Sequence, residues 1–395
     1  MNERGLPRDE VLAELSAHLR KDLTYHEGWI LGSMCTRPHE FATAVFSSCF
    51  EKNLGDPGLF EGTAELEKEA IGMIGGMLSK SDACGNIVSG GTEANILALW
   101  AARKLRKRAT PEVIVPISAH ASFDKAADLL GLRLIKVGLD DKYQVDAKAV
   151  RRAITNNTTA IVGIAGTTDL GVVDPIRELS DLAEDYDLYL HVDAAFGGFV
   201  IPFLQELEHD IPEFDFKLPG VCSVTIDAHK MGMAPIPAGG ILFRDSSLSK
   251  VIEFTASYLP GGETSQATIV GTRPGASVAA VWALLKHLGR AGYREIVRRC
   301  MALTWRLAEE VRTIEGLDLV LPPTLNILGI KSTIFDIQLV HDELKEMGWA
   351  LSLFPDHVTV VVMPHMTSQH VRDFVEDLRI TSGVRGSIVR ESVGV

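Results

Sequence analysis

The chain has 395 residues, 46% of them hydrophobic, with 35 glycines and a formal net charge of −13. That is enough apolar material for a large core, arranged as one big α/β domain with a smaller one attached. The only basic run is RKLRKR at residues 103–108, at the tail of a predicted helix where cations suit the dipole, so neither a nucleic acid nor an anionic membrane is expected as a partner.

Residues 9–21 predict a short amphipathic helix with Val11, Leu12, Leu15 and Leu19 on one stripe, an arm of the kind that packs on a second subunit. Residues 25–60 read as irregular, and GDPG at 55–58 marks a turn before a helix over about 63–78. From residue 85 strands and helices alternate. Strands are predicted at 86–88, 113–117, 132–137, 159–164, 188–192, 222–226 and 240–243, with helices running to Leu105, to Leu130 and from Asp174-Pro175 to Tyr186. In the last of these, Asp174 is expected as N-cap and Pro175 at the first helical position. Nearly continuous apolar strands in this alternation imply a mainly parallel sheet covered on both faces. After a long helical region over about 277–315, the order β-β-α-β-β-α to about residue 378 predicts a small α+β domain.

The five cysteines, Cys35, Cys49, Cys84, Cys222 and Cys300, are odd in number and lack paired metal spacing, so they read as reduced thiols and no metal site is expected. Residues 1–20 carry no signal-peptide pattern, and no run approaches a membrane span, so a soluble, cytoplasmic protein is expected.

In such a sheet a ligand lies outside the carboxyl ends of the strands, and the polar residues of interest fall there. SGGT at 89–92 puts two glycines and a hydroxyl at a helix start, where free N–H groups hold a phosphate or Thr92 merely caps the helix. His120 either lies on an aromatic ring or is a satisfied loop histidine, and Thr167 and Thr168 either donate to a ligand or satisfy turn carbonyls. Asp193 follows an apolar strand and precedes Ala194-Ala195, small enough for a flat ring to lie against the backbone. A carboxylate buried there needs a cationic or hydrogen-bonding partner, such as a protonated pyridine nitrogen or a structural salt bridge. Lys230, just past the strand in SVTIDAHK, is either a surface lysine or an amine freed by desolvation to attack a carbonyl.

A phosphate cradle, a stacking imidazole, an Asp for a ring nitrogen and a lysine amine thus occur at successive strand ends. SGGTEAN at 89–95, His120, AGTTDLGVVDP at 165–175, HVDAAFGG at 191–198, SVTIDAHK at 223–230 and GTRPGA at 271–276 together resemble the group II amino-acid decarboxylases that use pyridoxal 5'-phosphate. ILGSMCTRPH at 30–39 and NLGDPGLFEGTAELE at 53–67 look most like the archaeal tyrosine/aspartate decarboxylases of methanofuran and coenzyme A biosynthesis.

This resemblance implies fold type I, the aspartate-aminotransferase-like α/β fold, with a mainly parallel seven-stranded sheet. It implies an arm over 1–60, a large cofactor domain over 61–275, and connecting helices with a small C-terminal domain over 276–395. Lys230 would be the Schiff-base lysine, with His229 beside the phosphate. Gly91 and Thr92 would bind the phosphate, His120 would stack on the ring, Ala195 would pack below it, Asp193 would hold its nitrogen and Thr168 would lie near its phenolic side. Thr272 would reach the phosphate of a partner subunit, making a homodimer with shared sites. Tyr258, the only tyrosine between Lys230 and Gly271, would be the catalytic acid on a loop made mobile by Gly261-Gly262, with His120 or Lys230 as alternative donors.

The resemblance implies an amino-acid substrate, tyrosine giving tyramine, aspartate giving β-alanine, or both. Ser33, Met34 and His39 are candidate neighbours of its side chain, and Arg372, Arg379 or Arg385 could hold a carboxylate. Another carbon–carbon lyase, resembling sphingosine-phosphate lyase, and a non-enzymatic phospholigand module are the competing readings.

Overall fold

The computed structural model describes residues 3–393, with side chains described through residue 383. Seven strands make the central sheet: β1 (Cys84–Val88), β2 (Glu112–Pro116), β3 (Arg133–Val137), β4 (Thr158–Ile164), β5 (Tyr189–Asp193), β6 (Val221–Asp227) and β7 (Gly239–Phe243). Their order is β1-β7-β6-β5-β4-β2-β3. β2 to β6 pair in parallel, while β7 runs antiparallel to both β6 and β1. All of β2, β4, β5 and β7 is buried, as a sheet covered on both faces requires.

Successive strand residues feed opposite faces, so one strand serves two cores. Val113, Val115, Ala160 and Val162 pack with helices Gly91–Leu105 and Ser122–Leu130. Ile114, Ile161, Leu190 and Val192 pack on the other side with helices Glu61–Met77, Ile176–Asp185 and Gly275–Arg312. The long helix Gly275–Arg312 bends at Gly289, whose φ of 55° breaks the helical run.

A short hairpin, β8 (Phe254–Ala256) and β9 (Thr264–Gln266), stands apart from the main sheet. The small domain has the expected β-β-α-β-β-α order. β10 (Leu317–Leu319), β11 (Ile327–Ser332), β12 (Ser352–Leu353) and β13 (Val358–Val361) form an antiparallel sheet covered by helices Ile337–Glu346 and Ser368–Val393. Leu31 of the arm enters this second core, where its N–H donates to the Ala350 carbonyl at 3.0 Å.

Three expectations need correction. The arm is not irregular throughout: helix Glu40–Ser48 lies within it, capped by the His39 imidazole, which accepts from Phe41 N. Three short helices, Ala147–Ala153, Ile201–Glu206 and Ser246–Lys250, were not expected, because none is long enough to show a period. Asp174 is not a helix cap. Pro175 holds that position, and the Asp174 carboxylate turns inward to accept from Val145 N at 2.8 Å and Ile164 N at 2.7 Å. Burial pushes the Asp174 carboxyl up to about 6.

Helix Arg8–Leu19 forms as expected but is only weakly amphipathic, and none of its residues is buried, Val11, Leu12, Leu15 and Leu19 included. All five cysteines are free thiols. Among the described residues no helix is long and apolar enough to cross a membrane, and no cluster of side chains has metal-ligand character.

Candidate active site

Strand register brings the site together. Ile164, Asp193 and Thr225 are neighbours across β4, β5 and β6, while Asp227 pairs with Gly239 and Gly239 with Val88. The turns leaving these strands therefore meet at one edge of the sheet, around a cavity of about 380 Å3. Gly91, Thr92, His120, Thr168, Asp193, Ala195, His229 and Lys230 all line it, so every residue expected to touch the cofactor is there except Thr272.

The turn after β1 is shaped by what a side chain would strike. A Cβ on Gly91 would sit 3.0 Å from Asp227 Oδ2, and one on Gly90 would sit 3.1 Å from the His229 ring. Glycine lets the backbone approach there and leaves the first N–H groups of helix Gly91–Leu105 open to an anion. Gly90 holds the cap position and Thr92 is the second helical residue, so the capping role considered for Thr92 is not the one it takes. Glu93 fixes the turn from behind: its Oε2 accepts from Ser89 N at 2.9 Å and from Ser89 Oγ at 2.7 Å, and its Oε1 from Ile269 N at 3.2 Å. A buried ion pair adds a second tie. The Arg273 guanidinium donates to both oxygens of Glu67 and to the Ile87 carbonyl, joining the 271–273 segment to the end of β1.

Lys230 Nζ lies 3.5 Å from the buried Asp227 Oδ2, with 19% of its side chain exposed. His229 Nε2 is 3.7 Å from the same oxygen, and its Nδ1 accepts from Ala238 N. Burial lowers the His229 pKa, against the opposing pull of Asp227. With Nδ1 accepting, Nε2 is the ring's donor and lies on the Asp227 side. His120 is anchored through Nδ1, which accepts from Ser122 N at 3.1 Å.

Asp193 is 7% exposed and accepts from Asn95 Nδ2 at 2.8 Å and from Ala195 N at 3.0 Å. These observations fit a flat, phosphate-bearing ring with a basic nitrogen. A glycine turn that a Cβ would obstruct supplies N–H donors, and a buried carboxylate waits on the opposite side. Ser118 Oγ and Asp227 Oδ1 at the cavity have no hydrogen-bond partner among the described residues.

Other expected residues stand elsewhere. Tyr258 is 84% exposed in the β8–β9 hairpin and shares a separate depression of about 540 Å3 with Gly271 and Thr272. Of the arm residues only Met34 reaches the cavity; Ser33 Oγ accepts from Cys35 N, and His39 caps its helix. Arg372 bonds to Gln369, Arg379 bonds to Glu310 and Thr313, and neither lines the cavity. The side chain of Arg385 lies outside the described residues.

Three residues of the site were not singled out from sequence: Asn95, Ser118 and Glu93. For Asn95 the signal was spacing, since it lies one helical turn beyond Gly91 on the same face.

The Pyridoxal-dependent decarboxylase conserved domain matches residues 62–328. A protein from Pyrococcus abyssi named a probable L-aspartate decarboxylase is 54% identical over 377 residues, covering 95% of this chain and 98% of its own. One from Methanothermobacter thermautotrophicus, named a probable L-tyrosine/L-aspartate decarboxylase, is 51% identical over 358 residues, covering 90% of this chain and 98% of its own. Among solved structures, a Burkholderia pseudomallei sphingosine-1-phosphate lyase superposes with a TM-score of 0.90 at 31% identity, covering 100% of this chain and 95% of that one. The chain belongs to the pyridoxal-dependent decarboxylase family, and it is an enzyme that uses pyridoxal phosphate.

Proposed function

We propose that the protein removes the α-carboxylate of L-aspartate, giving β-alanine and CO2, in the cytoplasm and as a homodimer. The substrate choice rests on the relatives from Pyrococcus and Methanothermobacter, whose names share aspartate. β-Alanine production would connect the reaction to coenzyme A biosynthesis; tyrosine, the second substrate in the Methanothermobacter name, would connect it instead to methanofuran biosynthesis.

Bound in this cavity, pyridoxal phosphate supplies the electron sink for the breaking bond between Cα and the carboxylate. Gly91, Thr92 and His229 would hold its phosphate, through helix N–H groups and an imidazole N–H. Asp193 would keep its ring nitrogen protonated, His120 and Ala195 would cover its two faces, and Thr168 would lie at its phenolic side. Lys230 would bind its carbonyl carbon and give way to the substrate amine. Once CO2 has left, Cα needs a proton from a positioned acid. We assign that acid to Tyr258 of the partner subunit, with His120 and Lys230 as alternatives, because in its own chain Tyr258 sits beside Thr272 in a different depression. The exposed apolar side chains of Val11, Leu12, Leu15 and Leu19 on helix Arg8–Leu19 support a second subunit. Lys230 and two histidines are the basic side chains in the lining, which leaves the second carboxylate of aspartate to a cation from the arm or the partner subunit.

The test is CO2 release from carboxyl-labelled aspartate, glutamate and tyrosine, side by side. Aspartate is expected to give the highest kcat/KM; a higher value for tyrosine would overturn the substrate choice. Cleavage of a phosphorylated amino alcohol without CO2 release would favour the carbon–carbon lyase reading instead.

A further inference from the structure

Behind Asp193 a chain of polar groups runs into a core that is otherwise apolar. His191, on β5, is fully buried; its Nδ1 lies 2.8 Å from Ser223 Oγ and its Nε2 3.0 Å from Asn95 Oδ1. Thr225 Oγ1 donates to the same Asn95 oxygen at 2.8 Å. The Asn95 amide nitrogen donates to Asp193 Oδ2 at 2.8 Å and to Ser122 Oγ at 2.9 Å.

The Asn95 NH2 faces Asp193 and the Asn95 oxygen faces Thr225 and His191, whose Nε2 also lies 3.2 Å from Thr225 Oγ1; giving that oxygen two donors sets the proton positions along the chain. His191 therefore carries its proton on Nε2, and its Nδ1 accepts from the Ser223 hydroxyl. Burial holds the His191 pKa down at about 4, which keeps that neutral form in place at physiological pH. The bonds from Ser223 through His191 and Asn95 run toward Asp193, and each polarises the next in a dry environment. The amide makes all four of its hydrogen bonds, so its plane cannot rotate without breaking several of them.

We propose that Asn95 is a positioning residue of the cofactor site: oriented by His191 and Thr225, its amide holds the Asp193 carboxylate in one rotamer at the cavity wall, ready to pair with a ring nitrogen. The inference does not depend on which amino acid is the substrate. A purely structural role for the network makes a different prediction, because it would not distinguish one edge of the bound ring from another.

The experiment measures binding to the apoprotein of pyridoxal phosphate and of its deaza analogue, in which C–H replaces the ring nitrogen. For Asn95→Leu, the Kd for pyridoxal phosphate is expected to rise about tenfold to a hundredfold, the scale of one charge-assisted hydrogen bond, while the Kd for the deaza analogue changes by less than about threefold. Asn95→Ser withdraws the donor from Asp193 without adding a charge, so it should show the same selective loss and serves if the leucine variant fails to fold. Equal weakening toward both ligands, or unchanged affinity for pyridoxal phosphate, overturns the proposal.

Discussion

Asp193 and Tyr258 both face cavities, but the structure treats them in opposite ways. Asp193 ends a fully buried strand and is held from behind by Asn95, whose own orientation is set by His191 and Thr225. Tyr258 stands 84% exposed on a small hairpin paired only with itself, and the neighbouring Thr272 opens onto the same outer depression. Groups that must stay fixed relative to a cofactor are grafted onto strand ends, while a group that must close over a substrate or cross to another subunit is carried on an exposed loop. One chain therefore holds the floor of the site rigidly, and under the proposed function its cover comes from the partner's hairpin.

The strongest way to break this comparison is to remove the amine from the fixed side. Lys230→Ala should keep its fold, since the side chain makes a single ion pair, and should lose turnover by about a thousandfold or more. Turnover near the wild-type rate would remove Lys230 from the chemistry. The exposed side is tested by mixing subunits. Tyr258→Phe and Lys230→Ala should each be impaired alone. If Tyr258 serves the partner's site, hybrid dimers formed after mixing should recover up to about a quarter of wild-type activity, because half the dimers then contain one intact site. No recovery in verified hybrids would place Tyr258 within its own subunit's site or outside the reaction.

The smallest expected effect concerns stability. His191 is held near 4 in the fold against about 6.5 in an unfolded chain, so the unfolded state takes up its proton first as pH falls. Its stabilising contribution is complete above about pH 6.5 and is lost toward pH 4, on the order of 2–3 kcal/mol. His365, also held near 4 by burial, acts in the same sense. Asp174, raised to about 6, acts oppositely: its contribution is greatest below about pH 4 and fades as pH rises through 6. Urea midpoints for His191→Gln between pH 7 and pH 4.5 should therefore fall less steeply than those of the wild type; parallel slopes would contradict the buried neutral assignment.

Much of this was legible because fold and site obey local rules. Apolar runs of five to seven residues marked the parallel strands, and the polar residue just past each run marked the site edge, so His120, Asp193 and Lys230 could be named before any coordinates. What was not legible depended on contacts across long stretches of chain. Asn95 meets Asp193 across 98 residues, and Glu67 meets Arg273 across 206. Asp174 looked like a cap because Asp-Pro is a common helix opening, but its carboxylate found two backbone donors in the core instead. The substrate-binding cation stayed illegible for a related reason: the arginines named from sequence are engaged with residues around them or lie outside the described side chains.

The central claim is that Lys230 and Asp193, brought by β6 and β5 to one cavity, hold a single pyridoxal phosphate between them. Borohydride reduction of the holoenzyme followed by peptide mapping tests it most directly. The reduced cofactor should be found on the peptide carrying Lys230, with the visible absorption band abolished; label on any other lysine, or none at all, would contradict the account.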